Sequence, residues 1–94
     1  MVDGRAGATG ALAIRRKRAR FRCWHRGTRE LDLLLGPFAD REIDRLGAAE
    51  LDELERLLAE RYNDLYDWIV GHAAAPAERR SAVLERIRRF HGTA

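Results

Sequence analysis

The sequence predicts an all-α fold, a single small five-helix bundle. Three observations lead there. Apolar residues recur at spacings of three and four wherever the chain is patterned, the signature of one helical face. No segment alternates with period two, and there is neither a β-branched cluster nor an Asn-Gly hairpin signal. The chain has 94 residues, 35% of them charged, and only two prolines. That is room for one domain with a large solvated helical surface. A domain of this size buries roughly 60–65% of its unfolded surface, so each buried leucine matters.

Residues 1–13 are rich in Gly and Ala and hold Asp3 and Arg5. They are expected to form a disordered leader ahead of a helical domain spanning 14–94. They lack a secretory apolar core, an amphipathic arginine pattern and serine, so neither an export signal nor a transit peptide is indicated.

The first helix starts near Ile14. Ile14, Phe21 and Trp24 lie at spacings of seven and three, with Ala19 and Cys23 nearby. Arg15, Arg16, Lys17, Arg18, Arg20 and Arg22 fill the remaining positions. Gly27 suits the left-handed residue that often ends a helix, with Arg26 in the last turn. Thr28 is a good N-cap for the second helix. There Leu31, Leu34, Leu35 and Phe38 form the apolar stripe, continued by Ile43 and Leu46. Pro37 lacks a backbone donor, so Gly36-Pro37 predicts a kink or break.

Gly47 separates a third helix, 48–60, with Leu51, Leu54, Leu57 and Leu58 on one side and Glu50, Asp52, Glu53, Glu55 and Glu60 on the other. Asn63-Asp64 is expected to cap a short fourth helix through Leu65, Trp68 and Ile69, ending at Gly71. Pro76 suits the first position of a final helix, whose buried face is Val83, Leu84, Ile87 and Phe90. Trp24, Leu34, Leu54, Trp68 and Ile87 are the expected core markers. Gly92 to Ala94 are expected to fray.

Charge is strongly segregated. Residues 1–29 hold nine Arg/Lys against one Asp, residues 30–75 hold four Arg against twelve Asp/Glu, and residues 76–94 hold five Arg against two Glu. The overall +3 therefore hides a basic start, an acidic middle and a basic end. Opposed blocks of this kind attract one another within a fold or present different fields to a partner.

The chemistry-bearing residues are sparse. Cys23 is the only cysteine, so no intrachain disulfide or cysteine-based zinc site can form. It reads as an inert half-buried thiol in a reducing compartment. His25, His72 and His91 are far apart and have no i, i+4 partner, so no metal site is expected. No Ser-His-Asp or Cys-His arrangement and no Gly-rich phosphate loop is present, so no catalytic residues are assigned and no cofactor is expected to bind the chain itself. No apolar run approaches the roughly 18 residues of a membrane span, so no membrane insertion is expected. The run Arg15 to Arg22 resembles a phosphate-binding cluster, and a basic helical nucleic-acid-binding protein is the alternative reading. The acidic segments that follow would repel nucleic acid, so none is expected as a partner.

One corner stands out. Arg26-Gly27-Thr28-Arg29-Glu30 joins two helices and places opposite charges around a glycine. By spacing alone it is an ordinary helix corner, with Arg26 and Glu30 each opposing a local macrodipole. Its context is more specific. "HRGTRELDLLLGPF" at 25–38 and "DLYDWI" at 64–69 occur in this order. Together they resemble the SdhE family of FAD assembly factors, bacterial relatives of the mitochondrial succinate dehydrogenase assembly factor, whose signature is Arg-Gly-x-x-Glu. The likeness runs from about Arg15 to Phe90. The sequence departs from some relatives in its longer leader and in Gly36, where bulkier residues occur.

The resemblance implies a chaperone-like assembly factor and not an enzyme. It implies binding to the flavoprotein subunit of succinate dehydrogenase, or of a fumarate reductase homologue, and promotion of its covalent flavinylation with FAD. The FAD would be the partner's. Arg26, Gly27 and Glu30 would contact the partner, with His25 and Arg29 beside them. A cytoplasmic protein, monomeric when free, is the accompanying expectation.

Overall fold

The computed structural model describes residues 4–93, with side chains from residue 10 onward. Five α-helices follow one another: α1 (Gly4–Trp24), α2 (Arg29–Glu42), α3 (Ala48–Leu58), α4 (Tyr62–Val70) and α5 (Ala82–Phe90). Short 3-10 turns lie at Ile43–Arg45 and Ala77–Arg79. No strand occurs among the described residues, as the periodicity predicts. α1 begins at Gly4, and residues 1–3 and 94, parts of the expected leader and of the fraying tail, lie outside the described residues.

The core is assembled from leucines of every helix after the first, around Phe38. Leu31, Leu35, Leu46, Leu51, Leu54, Leu65, Ile69, Val83 and Ile87 are fully buried. Trp68 is buried too, and Phe90 meets Phe38 edge-on with ring centroids 5.8 Å apart. Leu54, Trp68 and Ile87 are thus core residues as expected, whereas Leu34 is only partly buried against the core.

α1 corrects the reading of its apolar face. Ile14 is 53% and Phe21 63% exposed, while Ala19 and Cys23 are buried. The reason is steric. Small side chains at 19 and 23 let α1 lie close against α2 and α3, and large ones on that face would hold it away. The charged neighbours of that inner face are neutralised by the acidic middle of the chain. Arg15 reaches Asp52 at 2.7 Å and Glu55 at 3.1 Å on α3. Arg16 donates to the Leu46 carbonyl from both Nε (3.1 Å) and Nη2 (2.8 Å). Arg20 reaches Asp40 of α2 at 2.7 Å. The opposed charge blocks do attract one another. A second clasp lies at the far end, where Arg86 of α5 bridges Glu42 (2.7 Å) and Glu50 (2.9 Å).

Trp24 is half-buried, laid over α2 instead of inside the core. Its Nε1 donates to Asp40 Oδ1 at 3.0 Å. That bond first, and Arg20 second, hold the Asp40 carboxyl below its ordinary pKa. The indole rests directly on Gly36: a Cβ there would lie 2.3 Å from the ring. Gly36 is thus a packing requirement.

Pro37 does not break α2, which is helical from Arg29 to Glu42. The proline forfeits the bond to the Leu33 carbonyl four residues back. Leu33 itself lies on the exposed side of α2. The next carbonyl, Leu34 O, accepts from His91 Nε2 at 2.6 Å. A donor from the end of α5 thereby supports the weakened turn.

Two boundaries also differ from expectation. α4 starts at Tyr62 with Arg61 as N-cap, so Asn63 and Asp64 sit in its first turn. α5 starts at Ala82, because Ser81 supplies the cap: its Oγ accepts from Leu84 N at 3.1 Å. Pro76 instead opens the 3-10 turn. Gly71, at φ +86°, ends α4 as predicted.

Two measurements check this packing. Gly36→Ala should drive its Cβ into Trp24 and cost about 1–3 kcal/mol, a fall in Tm of roughly 4–8 °C per kcal/mol. Gly10→Ala, with open space around its Cβ, should leave Tm equal or higher, since alanine favours helix by up to about 1 kcal/mol. Burial pushes the Cys23 thiol up to about 12. The native protein should therefore resist a thiol reagent at pH 8 and react once unfolded in guanidinium. Because the folded value lies above the unfolded one, this contribution to stability is present below about pH 8.5 and is lost as pH rises toward about 12.

Candidate functional site

The chain between α1 and α2 turns in four residues, and only a glycine suits the turn. Gly27 has φ +112°, a region L side chains rarely adopt. A Cβ at this position would meet nothing within 4 Å. The requirement for glycine is therefore conformational, and the face of the glycine is open to an approaching surface. Thr28 follows in extended geometry as the N-cap of α2, without a side-chain capping bond. Asp32, one turn into α2, ties the corner to that helix: its Oδ1 accepts from the Arg26 backbone N–H at 2.7 Å.

Arg26 points inward. It lies beyond the end of α1 and is half-buried, and its Nη2 donates to the Glu60 carbonyl just past α3. Arg26 is therefore less exposed than a residue assigned only to partner contact would be. Its guanidinium ties the corner to the α3–α4 junction, where carbonyls past a helix end lack intrahelical donors. Arg26 Nε and Thr28 Oγ1 are buried with no hydrogen-bond partner among the described residues.

The other site residues are outside. His25, Gly27, Arg29 and Glu30 are all exposed. The corner therefore brings the five sequence-assigned residues together on one short segment, four presented outward and Arg26 holding them from beneath. Glu30 faces α4: the Tyr62 phenol is raised above its ordinary pKa, first by its own burial and next by the negative charge of Glu30.

The sequence reading placed Phe21 on the apolar face of α1 and passed over Tyr62 and Tyr66. Tyr62 and Tyr66 stack one turn apart, with centroids 5.8 Å apart and planes 29° apart. Phe21 stacks on His25 at 4.1 Å and 29°. The signal in both cases was an i, i+4 aromatic pair, read as core in α1 and passed over in α4. Phe21 thus stacks on His25 beside the corner, while Tyr62 and Tyr66 pack partly against the core with Tyr62 within the field of Glu30. Among the described residues no cluster of three His, Cys, Asp or Glu could hold a metal ion, and no helix is long and apolar enough to cross a membrane. The arrangement is an exposed, charged corner with an aromatic neighbour and open space in front of Gly27.

Comparison with known proteins bears on what docks. The family model described as flavinator of succinate dehydrogenase matches residues 17–91. The chain is similar to the FAD assembly factor SdhE of Acetobacter pasteurianus, 40% identical over 76 residues, which is 81% of this chain and 70% of that protein. It is similar to SdhE of Colwellia psychrerythraea, 31% identical over 80 residues, covering 85% and 87%. A mitochondrial succinate dehydrogenase assembly factor 2 from Mycosarcoma maydis is 48% identical over 52 residues, 55% of this chain but 22% of that longer protein. No solved structure gives a significant match.

The geometry separates two roles that the motif spacing does not. Arg26→Ala removes a charged donor from the Glu60 carbonyl and should cost about 1.5–3 kcal/mol. Glu30→Ala loses only a favourable macrodipole contact and should cost about 1 kcal/mol at most. Urea unfolding of both variants measures the difference. Equal stabilities would show that the inward Arg26 contact contributes nothing.

Proposed function

This chain belongs to the family of flavinators of succinate dehydrogenase, and from that premise we propose that it is an assembly factor for a flavoprotein subunit of that enzyme or of a fumarate reductase homologue. It binds the immature subunit and promotes covalent attachment of the subunit's FAD. The chain is not a catalyst and carries no cofactor of its own. It acts in the cytoplasm and is a monomer when free.

The observation that carries this reading is the corner itself. Gly27 is open at positive φ, Glu30, Arg29 and His25 project from it, and Arg26 anchors it from within. Without a side chain on Gly27, a partner's backbone can come close. Nothing at the corner is arranged to move a proton or attack a carbon. Its contribution is therefore positional: it stabilises a partner conformation in which the flavin and the accepting histidine are correctly oriented, and the bond forms with groups of the partner. Orientation of that kind can supply a large share of a barrier.

The nucleic-acid alternative gains no support. Arg15, Arg16 and Arg20 are engaged within the fold, which leaves Lys17, Arg18 and Arg22 as the unengaged cations among the described side chains of α1, fewer than the roughly six to ten phosphate contacts of a tight, salt-sensitive complex.

Purified flavoprotein subunit, FAD and this protein test the reading, with covalent flavin followed by its in-gel fluorescence. Glu30→Ala should fold like the parent and lower the initial rate of flavinylation at least about tenfold, the consequence of losing about 1.4 kcal/mol of binding. Gly27→Ala should act in the same direction, with an added loss of stability from its positive φ. A Glu30→Ala variant as active as the parent would reduce the motif to a helix corner and remove the main support for this function.

A further inference from the structure

The outer face of α1 has no partner within the fold. Ile14, Lys17, Arg18, Phe21, Arg22 and His25 follow one another at helical spacing on the side opposite Ala19 and Cys23. Ile14 and Phe21 are the largest exposed apolar side chains of the helix, at 53% and 63%. Lys17, Arg18 and Arg22 are exposed and form no ion pair with a carboxylate of the described residues, whereas Arg15 and Arg20 do. Those three cations and Phe21 line a shallow groove of about 430 Å³.

We infer that this face is a second arm of the docking surface. It would seat Phe21 in an apolar pocket of the flavoprotein, with Lys17, Arg18 and Arg22 against a rim of partner carboxylates. The inference rests on the assembly-factor reading and adds a site to it.

Two arguments select this occupant. The first is continuity. Phe21 stacks on His25 at 4.1 Å, and His25 is joined directly to Arg26-Gly27. A partner surface that meets the corner therefore meets Phe21 with no gap between. The second is chemical. One rigid aromatic ringed by arginine and lysine is the usual anatomy of a protein hot spot, with an apolar anchor shielded by a charged rim. A lipid surface would call for a broad apolar face sunk into the bilayer. Here Ile14 and Phe21 are about 10 Å apart along the axis, from 1.5 Å per residue, with cations between them. A second copy of the chain is disfavoured because many carboxylates of the acidic middle are already paired: Asp40, Glu42, Glu50, Asp52 and Glu55.

The two components of the arm leave different kinetic signatures. Charges at a rim raise the association rate and make it salt-dependent, while a buried anchor slows dissociation. The experiment is surface-based binding of the full chain to the flavoprotein subunit at low and physiological salt. Phe21→Ala should raise the dissociation rate about tenfold or more. The triple variant Lys17→Glu, Arg18→Glu, Arg22→Glu should lower the association rate at least about tenfold and abolish most of its salt dependence. Circular dichroism confirms that both variants are folded. Glu30→Ala serves as the reference for the corner. If Glu30→Ala loses binding while both α1 variants bind like the parent, this inference fails and the assembly-factor reading stands. If the parent itself does not bind the subunit, both fail. If the parent sediments with phosphatidylglycerol vesicles, and the α1 variants lose that property but keep parental binding to the subunit, the face belongs to a lipid surface and the inference is overturned.

Discussion

The Arg26 guanidinium holds the α1–α2 corner against the end of α3, and the presentation of the outer surface depends on that contact. Without it, the corner is four residues around a glycine whose backbone has more freedom than any other. With it, the corner is fixed from two directions. The Arg26 side chain reaches across to the Glu60 carbonyl, and the Arg26 main-chain N–H is held by Asp32. Both bonds involve a charged group and are stronger than neutral ones. The residue that looks most like a partner contact in the sequence is thus the support under its exposed neighbours His25, Gly27, Arg29 and Glu30. A docking surface that must orient another protein's groups gains from such support, because loosely held side chains lose entropy on binding.

The same logic orders the charges. A basic first helix and an acidic middle would each be self-repelling if left alone. Folding sets the inner arginines of α1 against α2 and α3: Arg15 on Asp52 and Glu55, Arg20 on Asp40, Arg16 on a carbonyl. Exposed pairs of this kind contribute little individually. Their effect is selective. They fix which face of α1 turns inward, and so leave Phe21 and the three outer cations facing solvent. The small residues Ala19 and Cys23 agree with that choice, since a close approach brings the arginines within reach of their carboxylates.

The helical class, the five elements, the leucine core and the corner were legible in the sequence, because periodicity and turn chemistry are local signals. Most of the misreadings share one cause, contacts distant in sequence. In α1, two apolar stripes compete: Ile14 and Phe21 on one side, Ala19 and Cys23 on the other. Hydrophobic size favours the first, but close packing and ion pairing select the second, and both depend on residues of α2 and α3. Pro37 predicted a break from its own chemistry, yet the turn survives with a donor from His91, more than fifty residues on. Gly36 looked like an unremarkable departure and proves to be the floor under Trp24. The start of α5 moved from Pro76 to Ser81 because a side-chain cap satisfies an orphan N–H, which proline cannot do. The direction of Arg26 was invisible for the same reason: nothing near it in sequence reveals that the Glu60 carbonyl needs a donor.

An assembly factor must also let go. A surface that bound immature and mature flavoprotein equally would shift no equilibrium between them, however tightly it bound. The differential affinity has to come from contacts made to one partner conformation and lost in the other. A rigid corner is suited to that discrimination, because it cannot follow a partner surface that moves. Gly27 sharpens the point. Its open face permits an approach by backbone, the closest kind of contact, and such contacts are the first to clash or open when the partner rearranges. The cationic face of α1 is different in kind, since its long side chains adapt and act over a longer range. On this view the two parts of the surface divide the work. In the proposed complex the helix face would speed encounter with the flavoprotein, and the glycine corner would discriminate between its immature and mature forms.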